Sequence, residues 1–235
     1  MLQYLLYNLV SSFIFSKNIK LDSGRSVQLS GRGPPVLFST GLFGTMPRFL
    51  YNDFLSYLEK KCTIITFNDY SPLNSDDIDD VVNKICVDKI GYISHSSFNY
   101  NILENDKIKS AALLDPICLP EINLNGASKR TIYLNYPILT IKASKLYDAD
   151  FSLPDWQDPN FQGKNITNII YKNVGHPDIL NDRWSNLAKN YGFWDSTNGE
   201  IIKFDYWNYK DNNIKKIRNK YRKIIAYKIQ KFILK

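Results

Sequence analysis

The sequence predicts an α/β domain with a mostly parallel central sheet and helices on both faces. Three observations lead there. Continuous apolar runs of strand length recur along the chain, Pro35–Ser39 and Cys62–Phe67 most clearly, as strands buried on both faces require. Helical or helix-capped segments alternate with these runs over short connections, the arrangement that builds a parallel sheet. The 235 residues are 44% hydrophobic and 23% charged, enough to bury a sizeable core without disulfides or a structural metal.

Along the chain, Leu2, Leu5, Leu6, Leu9, Val10 and Phe13 fall on one face of an amphipathic helix over residues 1–16. The turn clusters Asp22-Ser23-Gly24 and Ser30-Gly31-Arg32-Gly33 frame Arg25 to Leu29 as a short edge strand. After the run Pro35–Ser39, a helix is expected from about Pro47 to Lys61, followed by the strand Cys62–Phe67. Ser75 then caps a helix whose first turn is rich in acid, Asp76, Asp77, Asp79 and Asp80, which suits the positive end of the helix dipole. Ile90 to Ile93 is the next strand, and a short helix is expected past Ser97. Ala111 to Leu114, Pro137 to Ile141 and Ile166 to Tyr171 supply three further strands, while residues 118–130 and 145–164 read as loops.

Composition excludes several classes. Three cysteines, Cys62, Cys86 and Cys118, have no CxxC or Cys/His spacing, so they read as free thiols rather than a disulfide scaffold or zinc site. Only two histidines, His95 and His176, can serve imidazole chemistry, and no cofactor or metal is expected. The most apolar stretch is about 14 residues, short of the roughly 20 that span a bilayer. Without a basic n-region or a cleavage site, the chain is expected not to be secreted, but cytoplasmic or peripheral to an intracellular membrane.

Net charge is +7, yet residues 210–235 alone carry +9, so residues 1–209 form a near-neutral domain and 210–235 a basic tail. In that tail Ile214, Ile217, Tyr221, Ile224, Ile225, Phe232 and Ile233 keep helical spacing among lysines and arginines. Such a helix either lies on an anionic membrane surface or docks on the body by its isoleucine face. Nucleic acid is the poorer fit, because no base-reading motif accompanies the charge.

In open α/β sheets, sites form at the carboxyl ends of strands, and four such ends carry a message. Ile90–Ile93 leads into Ser94-His95-Ser96-Ser97-Phe98, where Ser96 is a nucleophile or a helix cap. Pro35–Ser39 leads into Thr40-Gly41-Leu42-Phe43-Gly44, a loop of oxyanion-binding type or an ordinary glycine turn. Ala111–Leu114 runs into Asp115-Pro116, and Ile166–Tyr171 into Gly175-His176-Pro177-Asp178.

Taken together, the stretch from Pro35 to Asp178 resembles the α/β-hydrolase superfamily, with Ser, Asp and His in the order that fold imposes. The Asp115 position has some resemblance to the chlorophyllase and platelet-activating-factor acetylhydrolase-like subgroup, in which the acid comes after the sixth strand. The resemblance implies an α/β-hydrolase fold with a minimal cap, and a triad of Ser96, Asp115 and His176. It places the oxyanion hole at the N–H groups of Leu42 and Ser97. Asp148 is the alternative acid, one strand further on. Ser94 and Phe98 stand where the family has glycine, and Thr40 where it has histidine. The expected activity is cleavage of a carboxylic ester of an apolar or lipid-like substrate. The alternative is a hydrolase-like scaffold without catalysis, acting as a membrane-associated binding protein.

Overall fold

A computed structural model of the chain describes residues 15–41, 44–117, 121–123, 126–128, 131–145, 160–163, 165–185, 193–195, 200–202 and 211–235. Eight strands form the central sheet: β1 (Phe15–Lys20), β2 (Ser26–Gly31), β3 (Pro35–Ser39), β4 (Thr63–Phe67), β5 (Ile90–Ser97), β6 (Ile108–Ile117), β7 (Ile138–Lys145) and β8 (Ile166–Gly175). Their spatial order is β1-β2-β4-β3-β5-β6-β7-β8. Every pairing from β4 to β8 is parallel, and β2 alone runs against its neighbours β1 and β4. The mostly parallel sheet is thus as expected.

The strands alternate their side chains between two cores. Val36, Phe38, Ile64, Ile93, Leu114 and Ile141 face one layer, while Leu37, Ile65, Tyr92, Leu113 and Ile138 face the other. Helices α1 (Asn52–Leu58) and α3 (Asp211–Ile233) cover the first layer, and α2 (Ser75–Ile85) covers the second. Gly91 of β5 lets the end of α3 close on the sheet, since a Cβ there would stand 2.9 Å from Ile233 Cγ2.

Several details differ from what the sequence predicts. Arg25 to Leu29 is not an edge strand, because β1 pairs outside β2; the polar stretch around Ile19 hides β1 from an apolar pattern. The segment from Pro47 begins with a 3₁₀ turn, Arg48–Tyr51, and turns α-helical only at Asn52. Asn74, not Ser75, caps α2: its side chain accepts the Asp77 N–H at 3.0 Å while Asp77 accepts the Asn74 N–H at 2.9 Å. After Ser97 there is only a 3₁₀ turn, Tyr100–Ile102, where a short helix was expected. Within 118–130, Glu121–Asn123 pairs with Gly126–Ser128 as a small ribbon. The amphipathic stretch Leu2 to Phe13 lies outside the described residues, as does Cys118. Cys62 is buried, which pushes its thiol pKa up to about 11.

The basic tail packs into the protein. Tyr221, Ile225, Ala226, Ile229 and Ile233 of α3 are buried in the same layer as α1. The larger of these side chains contribute on the order of 1.5–3 kcal/mol each by leaving water. The apolar face that could have entered lipid is therefore inside the protein, and Lys215, Lys216, Lys220, Lys223 and Lys231 point to solvent.

Candidate active site

In an ideal parallel ladder neighbouring residues advance in step, so paired side chains share a face and successive ones along a strand alternate. Here the β5–β6 ladder, after one shift at its start between Ile90 and Gly91, keeps step from Gly91 and Ser110 to His95 and Leu114, then resumes at Ser97 and Ile117. One residue, Ser96, thus faces two, Asp115 and Pro116. Such a bulge re-aims side chains at a strand end. Ser96 has φ 64° and Asp115 φ 45°, both in the left-handed region that disfavours any residue with a Cβ. The only other such non-glycine among the described residues is Cys86, which ends α2. Asp115 also precedes a proline, which restricts its backbone further. The strain at Ser96 and Asp115 is of order 1–3 kcal/mol each, held by the sheet on both sides. Phe98, which stands where the superfamily has glycine, is buried against the α2 layer and does not prevent the Ser96 turn.

The β7–β8 ladder breaks too. Ala143 pairs with Tyr171 and Lys145 with Gly175, so β8 gains extra residues just before His176. His176 Nδ1 lies 3.6 Å from Asp115 Oδ2, within ion-pair range though long for a hydrogen bond. Its ring stacks on His95, with centroids 4.5 Å apart and planes at 24°. The residue preceding Ser96 is therefore in direct contact with His176. Ser96, Asp115 and His176 are brought to one end of the sheet by two ladder breaks.

The loop beyond His176 is tied down by groups that the sequence alone does not single out. Asp178, fully buried, accepts the Gly175 N–H at 2.7 Å and the Arg218 Nε–H at 2.7 Å. Arg222 donates to the Asp178 carbonyl at 3.1 Å, to Asp182 at 2.8 Å, to Asp53 at 3.3 Å and to the Leu180 carbonyl. Burial pushes the Asp178 carboxyl pKa up, against the pull of Gly175 N–H and Arg218. Asn181 joins this loop to the turn before α1, donating its N–H to Leu50 O at 2.6 Å. Tyr221 of α3 stands near both carboxylates: burial first, then Asp115 and Asp178, push its hydroxyl pKa well up. Arg218 and Arg222, four apart on α3, fall on the stripe that also carries Ile225 and Ile229. That placement was the available signal.

The loop after β3 is closed by its own bonds. Thr40 Oγ1 donates to Met46 O at 2.7 Å, and Gly44 N–H to Thr40 O at 2.9 Å. Gly41 N–H donates to the Tyr51 hydroxyl at 2.9 Å. Leu42, one of the two oxyanion donors expected, lies outside the described residues, and so does Asp148. Ser97 ends β5, one residue past the strained serine.

Ring nitrogens or carboxylate oxygens of His95, Asp115 and His176 lie within 4.8 Å of one another, a grouping that could draw a metal ion. His95 is poorly suited to that task. Its Nδ1 is 2.9 Å from the Tyr51 hydroxyl and its Nε2 3.1 Å from the His176 carbonyl, so ligation would break a hydrogen bond already made.

No protein-family model and no curated protein sequence matches the chain. Among solved structures, naproxen esterase of Bacillus subtilis is similar at 17% identity over 78% of this chain and 94% of that one, with a TM-score of 0.47. A membrane phospholipase A described as a bacterial virulence factor is similar at 10% identity over 79% and 87%, TM-score 0.48. An α/β-fold hydrolase from Bacillus anthracis is similar at 10% identity over 74% and 97%, TM-score 0.47. At these values the likeness carries nothing about activity. The strand order, the lone antiparallel β2 and the flanking helices define the chain's fold, that of the α/β hydrolases.

Proposed function

We propose that the protein is a serine hydrolase that cleaves a carboxylic ester of an apolar or lipid-like compound through Ser96, His176 and Asp115. The observation that carries this reading is the coincidence, at these three positions, of the two ladder breaks at the carboxyl ends of β5 and β7–β8 with both left-handed residues that end no helix. Strain held by a rigid sheet is a common mark of a functional turn.

The chemistry is dictated by the residue types. A serine hydroxyl is a weak nucleophile near neutral pH, so His176 takes its proton as the oxygen attacks the ester carbonyl. Asp115, on the Nδ1 side of His176, selects the tautomer and stabilises the imidazolium that forms. Backbone N–H groups of Leu42 and Ser97 receive the developing oxyanion, a contribution of about 3 kcal/mol for each donor. The protonated His176 then gives its proton to the departing alcohol, leaving an acyl-serine. Water, deprotonated by the same imidazole, releases the acid and restores Ser96.

Substrate would be met at an anionic membrane surface through the lysine face of α3. Each basic side chain near such a surface contributes about 1 kcal/mol. No helix among the described residues is long and apolar enough to cross a bilayer, and the contact proposed is electrostatic and peripheral. The scaffold reading draws on one observation. Only a 3₁₀ turn comes after Ser96, so no α-helix N-terminus stands behind the site.

Hydrolysis of p-nitrophenyl esters of increasing acyl length separates the two. The hydrolase reading expects turnover by wild type that falls by several orders of magnitude in Ser96→Ala and His176→Ala. Equal rates in folded wild type and Ser96→Ala would leave the scaffold reading standing.

A further inference from the structure

Resting on the reading of Ser96 and His176 as nucleophile and base, we propose that Tyr51 is a positioning residue. It would act through His95, and a chain of three hydrogen bonds would hold the loop after β3, the Ser96 turn and the His176 loop in register. The chain runs Gly41 N–H to Tyr51 Oη at 2.9 Å, Tyr51 O–H to His95 Nδ1 at 2.9 Å, and His95 Nε2–H to His176 O at 3.1 Å.

The direction of each bond is dictated by its ends. The His176 carbonyl can only accept, so His95 carries its proton on Nε2. A neutral imidazole then has a lone pair at Nδ1, which needs a donor. Tyr51 has one proton to give and lone pairs to accept with, and the Gly41 amide can only donate. Each bond thus has one proton and one lone pair. Burial keeps both aromatic partners in these forms: the His95 pKa lies well below the ordinary imidazole value, first from desolvation and then from His176, and that of Tyr51 is pushed up.

All three loops have neighbours that leave little slack. Tyr51 and His95 are buried, and Tyr51 packs edge-on against Phe38 of β3, with ring centroids 5.1 Å apart. A Cβ on Gly41 would stand 2.8 Å from Met46 Sδ and 3.1 Å from the Tyr51 hydroxyl, so the amide approaches that oxygen closely because the residue is glycine. His95 presents its neutral face to His176 at 4.5 Å. When His176 accepts a proton from Ser96 it becomes a cation, and the ring stacked on it bears no like charge. The groups facing His95 are Tyr51, His176 and, through the same cluster, Asp115.

Removing the Tyr51 hydroxyl keeps the shape and deletes one atom. In Tyr51→Phe the Gly41 amide and His95 Nδ1 both lose their partner, and His95 is free to shift its proton to Nδ1 and release the His176 carbonyl. Ester hydrolysis by the full chain is expected to show kcat reduced about 10- to 100-fold with KM within about twofold of wild type. Tyr57→Phe, which removes a hydroxyl bonded to Asn219, serves as the tyrosine control and is expected to match wild type.

Nitrogen-15 chemical shifts of the two histidines give a readout independent of turnover. Wild type is expected to hold His95 as the Nε2–H tautomer, and Tyr51→Phe to show tautomer exchange together with a displaced His176 signal. An unchanged His95 tautomer with unchanged kcat in folded Tyr51→Phe overturns the proposal. A wild type that hydrolyses no ester, yet shows the tautomer change and the His176 displacement in Tyr51→Phe, supports the positioning of His176 while removing the hydrolase reading.

Discussion

The Ser96 turn and the His176 loop meet at one end of the sheet but are built by different means. Ser96 sits between β3 and β6 in the middle of the sheet, and its unusual backbone is imposed by the strands beside it. His176 comes directly after β8 at the sheet's edge, and its loop is held by α3 through Arg218 and Arg222, 40 to 44 residues further along the chain. A site residue at the centre of a sheet is positioned by the sheet; one at the edge needs a separate clamp. The two arginines supply it, from the face of α3 that is buried while its lysines point to solvent.

The largest effect expected is on chemistry. Asp115→Asn keeps the bulge but no longer selects the tautomer of His176, so kcat for ester hydrolysis should fall on the order of 10³- to 10⁴-fold with little loss of stability. A small change in kcat would mean that another acid serves His176.

The clamp is tested by Arg218→Met. It leaves the buried Asp178 carboxylate without its guanidinium, and chemical denaturation should show a loss of about 3–5 kcal/mol. A change below about 1 kcal/mol would break the contrast, because the His176 loop would then be held without Arg218 of α3.

Acid should act through His95. In the folded state its pKa is depressed by burial, whereas an exposed histidine in the unfolded chain titrates near 6.5. Below that value the unfolded state takes up a proton that the native state refuses. Stability should therefore decline as pH drops below about 6.5, by up to about 1.4 kcal/mol per pH unit until the folded His95 titrates. His95→Gln, compared by thermal melts at several pH values, should flatten this slope.

The smallest effect concerns the Ser96 turn itself. Glycine accepts a φ of 64° without penalty, so Ser96→Gly should raise stability by about 1 kcal/mol while abolishing hydrolysis. The same substitution in a relaxed turn would lower stability.

The contrast between the two regions also explains what the sequence made legible. Strands buried on both faces write themselves as apolar runs, so β3 to β8 could be placed, and with them the residues at the end of each strand. Ser96, Asp115 and His176 were singled out as candidates that way, by position and order. β1 escaped because an edge strand in which Ile19 packs on the core among polar neighbours has no apolar run to show. Arg218 and Arg222 escaped for a deeper reason. Charge predicts exposure unless a partner is known, and Asp178 becomes their partner only once β8 and α3 are brought together. Tyr51 left no trace either, since nothing local marks a tyrosine whose hydroxyl meets a glycine amide 10 residues before it and a histidine 44 residues after it.

The most direct measurement is reaction of the full chain with a fluorophosphonate, then mapping of the adduct by peptide mass spectrometry. A serine reacts only if a neighbouring base activates it, and no natural substrate need be known. A single adduct is expected on Ser96 in wild type, absent from Ser96→Ala and strongly slowed in His176→Ala. A folded wild type that takes up no phosphonate, or takes it up at another residue, would contradict the role of Ser96 as an activated nucleophile.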